Sequence, residues 1–94
     1  MNALKHVDHH MDNLISDLQK LIQQPSVSAK NEGIEECAKL VKSLLKTSGL
    51  KSEILRLKKG VAPIVFAEIK SKSNPNKTLM FYNHYDVQPA EPFD

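Results

Sequence analysis

The spacing of apolar residues changes at Gly49, and that change limits the folds open to the chain. Before it, Val7, Met11, Leu14, Ile15, Leu18, Leu21 and Ile22 recur at intervals of three and four, which places them on one face of a helix. Ile34, Cys37, Ala38, Val41, Leu44 and Leu45 repeat the pattern. Beyond Gly49 the period shortens. Lys51 to Leu57 mixes Ile and Leu with charges and reads as a partly exposed strand. Ile64-Val65-Phe66-Ala67-Glu68-Ile69 and Thr78 to Tyr82 are nearly continuous in apolar character, as strands covered on both faces are. The pattern predicts an α/β fold, with two N-terminal helices packed on a three-stranded mixed sheet.

Local signals mark the boundaries. Proline disfavours helix in the residue before it, so the first helix ends near Gln24, and Pro25-Ser26-Val27-Ser28 reads as a short extended link. Asn31 or Ser28 can cap the second helix, and Glu32, Glu35 and Glu36 suit the positive end of its dipole. Lys42 and Lys46 suit the other end. Gly49 takes the left-handed position after that helix, with Leu50 folding back as its apolar contact. Lys58-Lys59-Gly60 and the polar run Lys70 to Lys77 are turns. The second and third strands look central, yet three strands leave central strands short of neighbours. Val87 to Asp94 carries two prolines and no regular period. Both features predict that residues 1–94 are the N-terminal part of a larger domain.

Composition narrows the function. The 94 residues suffice for one small domain. Thirteen Lys and Arg against eleven Asp and Glu give a net charge of +2. Arg56 is the sole arginine, and no aromatic residue interleaves with the lysines, so nucleic acid is not an expected partner. The single cysteine, Cys37, allows no internal disulfide, which fits a reducing compartment. The N-terminus lacks the apolar run of a signal peptide, and no stretch has the length of a membrane span. A soluble cytoplasmic chain is expected, with no membrane partner.

The chemistry gathers at Asn83-His84-Tyr85-Asp86. Side chains two apart in an extended segment share a side, so His84 and Asp86 can face one site beyond the third strand. Open α/β sheets bind ligands at the carboxyl ends of their strands. Imidazole is a good zinc ligand, and a nearby carboxylate fixes its tautomer and raises its basicity. Taken alone, His-x-Asp is a common tripeptide, and its bland reading is a polar loop that starts where a strand stops.

The surrounding residues are more specific. Leu79-Met80-Phe81-Tyr82-Asn83-His84-Tyr85-Asp86-Val87-Gln88-Pro89-Ala90 closely resembles the first metal-ligand motif of the M20 family of zinc metallopeptidases. That family includes carnosinase-type dipeptidases, succinyl-diaminopimelate desuccinylase, acetylornithine deacetylase and aminoacylase. Asp86-Val87-Gln88-Pro89 looks most like the dipeptidase branch. The N-terminal half is similar too, with a long helix, Leu21-Ile22-Gln23-Gln24-Pro25-Ser26-Val27-Ser28, and a second helix ending at Gly49. The resemblance implies an incomplete part of an αβα zinc-peptidase catalytic domain. It implies His84 as a ligand to one Zn2+ of a two-metal site, with Co2+ or Mn2+ as alternatives, and Asp86 as the active-site carboxylate that supports the histidine. The implied reaction is hydrolysis of the amide bond of a dipeptide or N-acyl amino acid by a metal-activated water. The family's bridging aspartate, general-base glutamate and remaining ligands have no counterpart in residues 1–94, so these residues alone are expected to be inactive. The alternative is a stand-alone interaction module that binds a partner or itself through open sheet edges. Either way, the uncovered apolar surface predicts a homo-oligomer.

Other candidates carry bland readings. His6, His9 and His10 are spaced for chelation, but a solvated helix end is the favoured reading. Cys37 falls on the apolar face of the second helix and reads as core. Glu35-Glu36 complements the helix dipole. Tyr82 is expected to pack in the sheet, and Tyr85 to point away from the His84/Asp86 side. Asn83 has no assignable role.

Overall fold

The computed structural model describes residues 2–89. The architecture is α/β: helix α1 (Ala3–His9), helix α2 (Met11–Gln23), a 3-10 turn (Ser28–Lys30), helix α3 (Ile34–Thr47), strand β1 (Lys51–Leu55) and strand β2 (Ile64–Glu68). The fold differs from the expected one in two respects: the described residues hold three α-helices rather than two, and a two-stranded sheet rather than three strands. Of the irregular tail expected at 87–94, residues 90–94 lie outside the described residues.

The first helix is broken at His10, which leaves the helical region at φ −116°, ψ 18°. Asp8, His9 and His10 are all weak helix formers, and no residue of α1 is buried to override them. Asn2 caps α1 by accepting the Lys5 N–H at 2.9 Å. The apolar stripe of α2 stays open. Leu14, Ile15, Leu18 and Ile22 are 42 to 73% exposed, because the small layer beneath reaches only part of that face.

Helix α3 is the centre of the molecule. Ile34, Cys37 and Ala38 form the buried core among the described residues, so Cys37 is core as its periodicity predicts. The helix stops where expected. Gly49 takes φ 91°, its N–H bonds Lys46 O at 3.0 Å, and the Leu50 N–H bonds Leu45 O at 2.9 Å, which satisfies carbonyls the helix leaves free. Its start is not the expected one. Neither Asn31 nor Ser28 caps it; the N-cap is Gly33, without a side-chain bond. Gly33 sits at φ 73° against Pro25, whose carbonyl oxygen would lie 2.0 Å from any Cβ, so only glycine lets the Pro25 link cross there.

Strands β1 and β2 pair antiparallel in the register Ser52↔Ala67 and Ile54↔Val65. Exposure alternates along both. Ser52, Ile54, Val65 and Ala67 are half-buried, and Ser52 Oγ donates to Lys42 O of α3 at 3.1 Å. Ile64 and Phe66 point the other way and are 44% exposed each. The expectation that β2 is covered on both faces therefore fails, since α3 covers one side and no second layer is present among the described residues. The third strand is not formed either. Residues 78–82 have no strand partner among the described residues, and Leu79, Met80, Phe81 and Tyr82 are 77 to 81% exposed. A strand is defined by its neighbour, and among the described residues β2 pairs only with β1. No helix among the described residues is long and apolar enough to cross a membrane.

Candidate functional site

The segment after residue 82 is anchored although it is not a strand. The Val87 N–H donates to Ser26 O at 2.8 Å, and Val27 and Val87 form an isolated parallel bridge. This joins the Pro25-Ser26-Val27-Ser28 link to the His84-Tyr85-Asp86 segment. Between those ties the side chains alternate. Tyr85 turns inward, its hydroxyl donating to Pro63 O at 2.5 Å and its carbonyl lying 3.8 Å from Cys37 Sγ. His84 and Asp86 turn to the other side and meet, with Nδ1 3.1 Å from Oδ1. The second Asp86 oxygen, Oδ2, accepts the Ser28 hydroxyl at 2.7 Å.

These contacts set the electrostatics. The Ser28 hydroxyl, and after it the His84 contact, hold the Asp86 carboxyl below the usual carboxylate range. Burial, the largest cause, pushes the Tyr85 hydroxyl up. Asp86 is therefore an ionised acceptor at neutral pH, with one oxygen engaged by a hydroxyl and the other by an imidazole. The Tyr82 ring lies edge-on to His84, centroids 5.8 Å apart at 74°, and is exposed rather than packed in a sheet.

Engaging Asp86 through Nδ1 leaves Nε2 on the outer side of an imidazole whose side chain is 73% exposed. A carboxylate-supported histidine of this kind fits one position of a zinc site together with its outer-shell partner. It does not make a complete cage: among the described residues no group of three or more His, Cys, Asp or Glu side chains could hold a metal ion. His6 and His10 stack with ring centroids 4.4 Å apart at 39°, on the exposed junction of α1 and α2.

Two features have no local signature in the sequence. Ser28 meets a partner 58 residues away. Arg56 grips Glu35 with both terminal guanidinium nitrogens, at 2.5 and 2.7 Å, and so ties the chain after β1 to the first turn of α3. Glu35 thus has a specific ion-pair partner in addition to its favourable place on the helix dipole. A cleft of about 600 Å³ is lined by Asn31, Ile34, Glu35, Arg56, Gly60 and Pro63, and His84 and Asp86 do not border it. The cleft and the motif disagree as candidate sites. The motif is the better one for metal chemistry, because His84 presents an exposed imidazole edge oriented by Asp86, whereas the cleft offers Arg56 paired with Glu35 and the cations Lys58 and Lys59, none of them a metal ligand. No family model, no curated protein and no solved structure matches the chain.

Proposed function

We propose that residues 1–94 contribute the first ligand set of a metal-dependent hydrolase, a member of the M20 zinc metallopeptidases that cleaves the amide bond of dipeptides or N-acyl amino acids. The sequence resemblance at residues 79–90 is the warrant. The observation that supports it is the His84–Asp86 contact, in which a carboxylate orients an exposed imidazole at the end of that motif. In this reading the described layer is an incomplete part of an αβα catalytic domain, working in the cytoplasm.

His84 would hold a zinc ion through Nε2, with Co2+ or Mn2+ able to replace it, and Asp86 would keep the Nδ1 proton in place. Zinc, when bound, supplies polarisation of the scissile carbonyl and a water of lowered pKa. Catalytic zinc takes about three protein ligands, so the others would come from chain outside these 94 residues, as would the general base. The 94-residue chain supplied with Zn2+ should hydrolyse no dipeptide. The same residues in their longer reading frame should do so, with activity lost in His84→Ala. Turnover by the short chain, or full metal-dependent activity in the longer His84→Ala protein, would overturn this reading.

A second reading is an interaction module that self-associates. It is favoured by the apolar run Leu79 to Tyr82, which is exposed and in no strand among the described residues. A longer reading frame without hydrolase activity would select it.

A further inference from the structure

We propose that Ser28 is a positioning residue, which sets the tautomer of His84 by fixing the carboxylate of Asp86. The inference deepens the metal-ligand reading of His84, but its first test does not depend on that reading.

An ionised carboxylate only accepts hydrogen bonds. The 3.1 Å contact between Asp86 Oδ1 and His84 Nδ1 therefore requires the proton on Nδ1, and a neutral ring then carries its lone pair on Nε2. That is the nitrogen able to reach a metal. The weakness of the pair is its exposure. The terminal torsion of an aspartate is broad and roughly two-fold, so one contact to an imidazole in solvent does not hold the carboxylate plane. Ser28 supplies the second point. Its 2.7 Å bond to Oδ2 leaves Oδ1 to His84 and fixes the plane through both oxygens.

Ser28 is itself held by backbone. It opens a 3-10 turn closed by Asn31 in the left-handed region, with the Asn31 N–H on Ser28 O at 3.1 Å. Val27 and Glu32 exchange two backbone bonds of 2.8 and 3.0 Å around that turn. The Val87 N–H to Ser26 O bond then locks the turn against the Asp86 segment. The hydroxyl has no competing task, because the cap of α3 is Gly33. A serine in the link before α3 thus acts on a histidine 56 residues later (84 − 28 = 56).

The test uses the 94-residue chain, with the His84 ring nitrogens observed by long-range nitrogen–proton NMR above the imidazole titration. The wild-type ring should be mainly protonated at Nδ1. Ser28→Ala should shift the population toward the Nε2-protonated form, and Ser28→Thr should restore it. The Val27 and Val87 amide signals should stay in place, since only an exposed hydroxyl is lost. Zn2+ titration of a longer protein that carries the remaining ligands gives the second readout. Asp86→Asn should weaken binding at His84 by about 10- to 100-fold, Ser28→Ala by an intermediate factor, and Ser28→Thr little. A tautomer ratio unchanged in Ser28→Ala, or not restored in Ser28→Thr, would overturn the role of Ser28. A ratio that responds as expected while neither that longer protein nor any of its variants binds Zn2+ at His84 would support Ser28 and overturn the metal reading instead.

Discussion

At Asp86 the protonation state and the fold are linked. The Ser28 hydroxyl, then His84, keep its carboxyl acidic, and the Arg56 guanidinium does the same for Glu35. A carboxyl whose pKa is lowered by folding stabilises the native state fully above its unfolded value, and loses that contribution as pH falls through the lowered one. The loss should therefore begin below about pH 4, the ordinary carboxylate range. Tyr85 has the opposite sign. Its hydroxyl is pushed up by burial, so its contribution is full below about pH 10 and lost as pH rises through the raised value. Urea midpoints should form a plateau between these limits. Asp86→Asn and Glu35→Gln should flatten the acid limb, and Tyr85→Phe the alkaline one. An acid limb unchanged in both carboxyl variants would show that neither contact persists in solution. The meeting of His84 and Asp86 is legible from their spacing, because alternation in an extended segment is a local property. The contribution of Ser28 is not, because its hydroxyl reads equally well as a cap until the fold supplies a partner.

Among the elements, α3 is the one most fully written in the sequence. Its acidic first turn, apolar face and terminal Gly49 all act over a few residues, and the helix runs Ile34–Thr47 as they direct. Its inner face is tightly filled, with Ala38 fully buried. Ala38→Leu should overpack that face and lower stability by about 1–3 kcal/mol, measured by urea unfolding; a variant as stable as wild type would mean that α3 does not lie against the β1–β2 hairpin. The first helix was legible only in outline. Its apolar period runs through His10, but the conformation breaks there, because Asp8-His9-His10 has little helix propensity and stays exposed. The segment 78–82 shows the reverse problem. Its composition is that of a buried strand, yet strand propensity mostly reports fit to a half-buried, paired surface. Without a neighbour among the described residues, these residues form no strand.

Over the whole molecule the apolar surface outruns what the layer can cover. The chain exposes 8665 Å² for 10.6 kDa, where a folded monomer of that mass exposes about 5,500 Å². Its radius of gyration is 15.9 Å, against about 12–13 Å for a compact domain of this length. The exposed groups include Leu79, Met80, Phe81 and Tyr82, the stripe of α2, and Ile64 and Phe66 on the outer sheet face. Self-association of the 94-residue chain is the expected result, seen as a sedimentation coefficient that rises with concentration. Leu79→Glu with Phe81→Lys should shift it toward monomer, and a wild-type chain that stays monomeric at high concentration would contradict this. The sequence by itself determined the α/β class, the C-terminal limit of α3, the two hairpin strands and the His84–Asp86 alternation, because each depends on residues close together along the chain. Only the tertiary structure decided that Ser28 grips Asp86, that Arg56 grips Glu35 and that Tyr85 reaches Pro63, over separations of 58, 21 and 22 residues. No local period encodes such pairs; they exist because folding closes the loops between them and brings donors to acceptors.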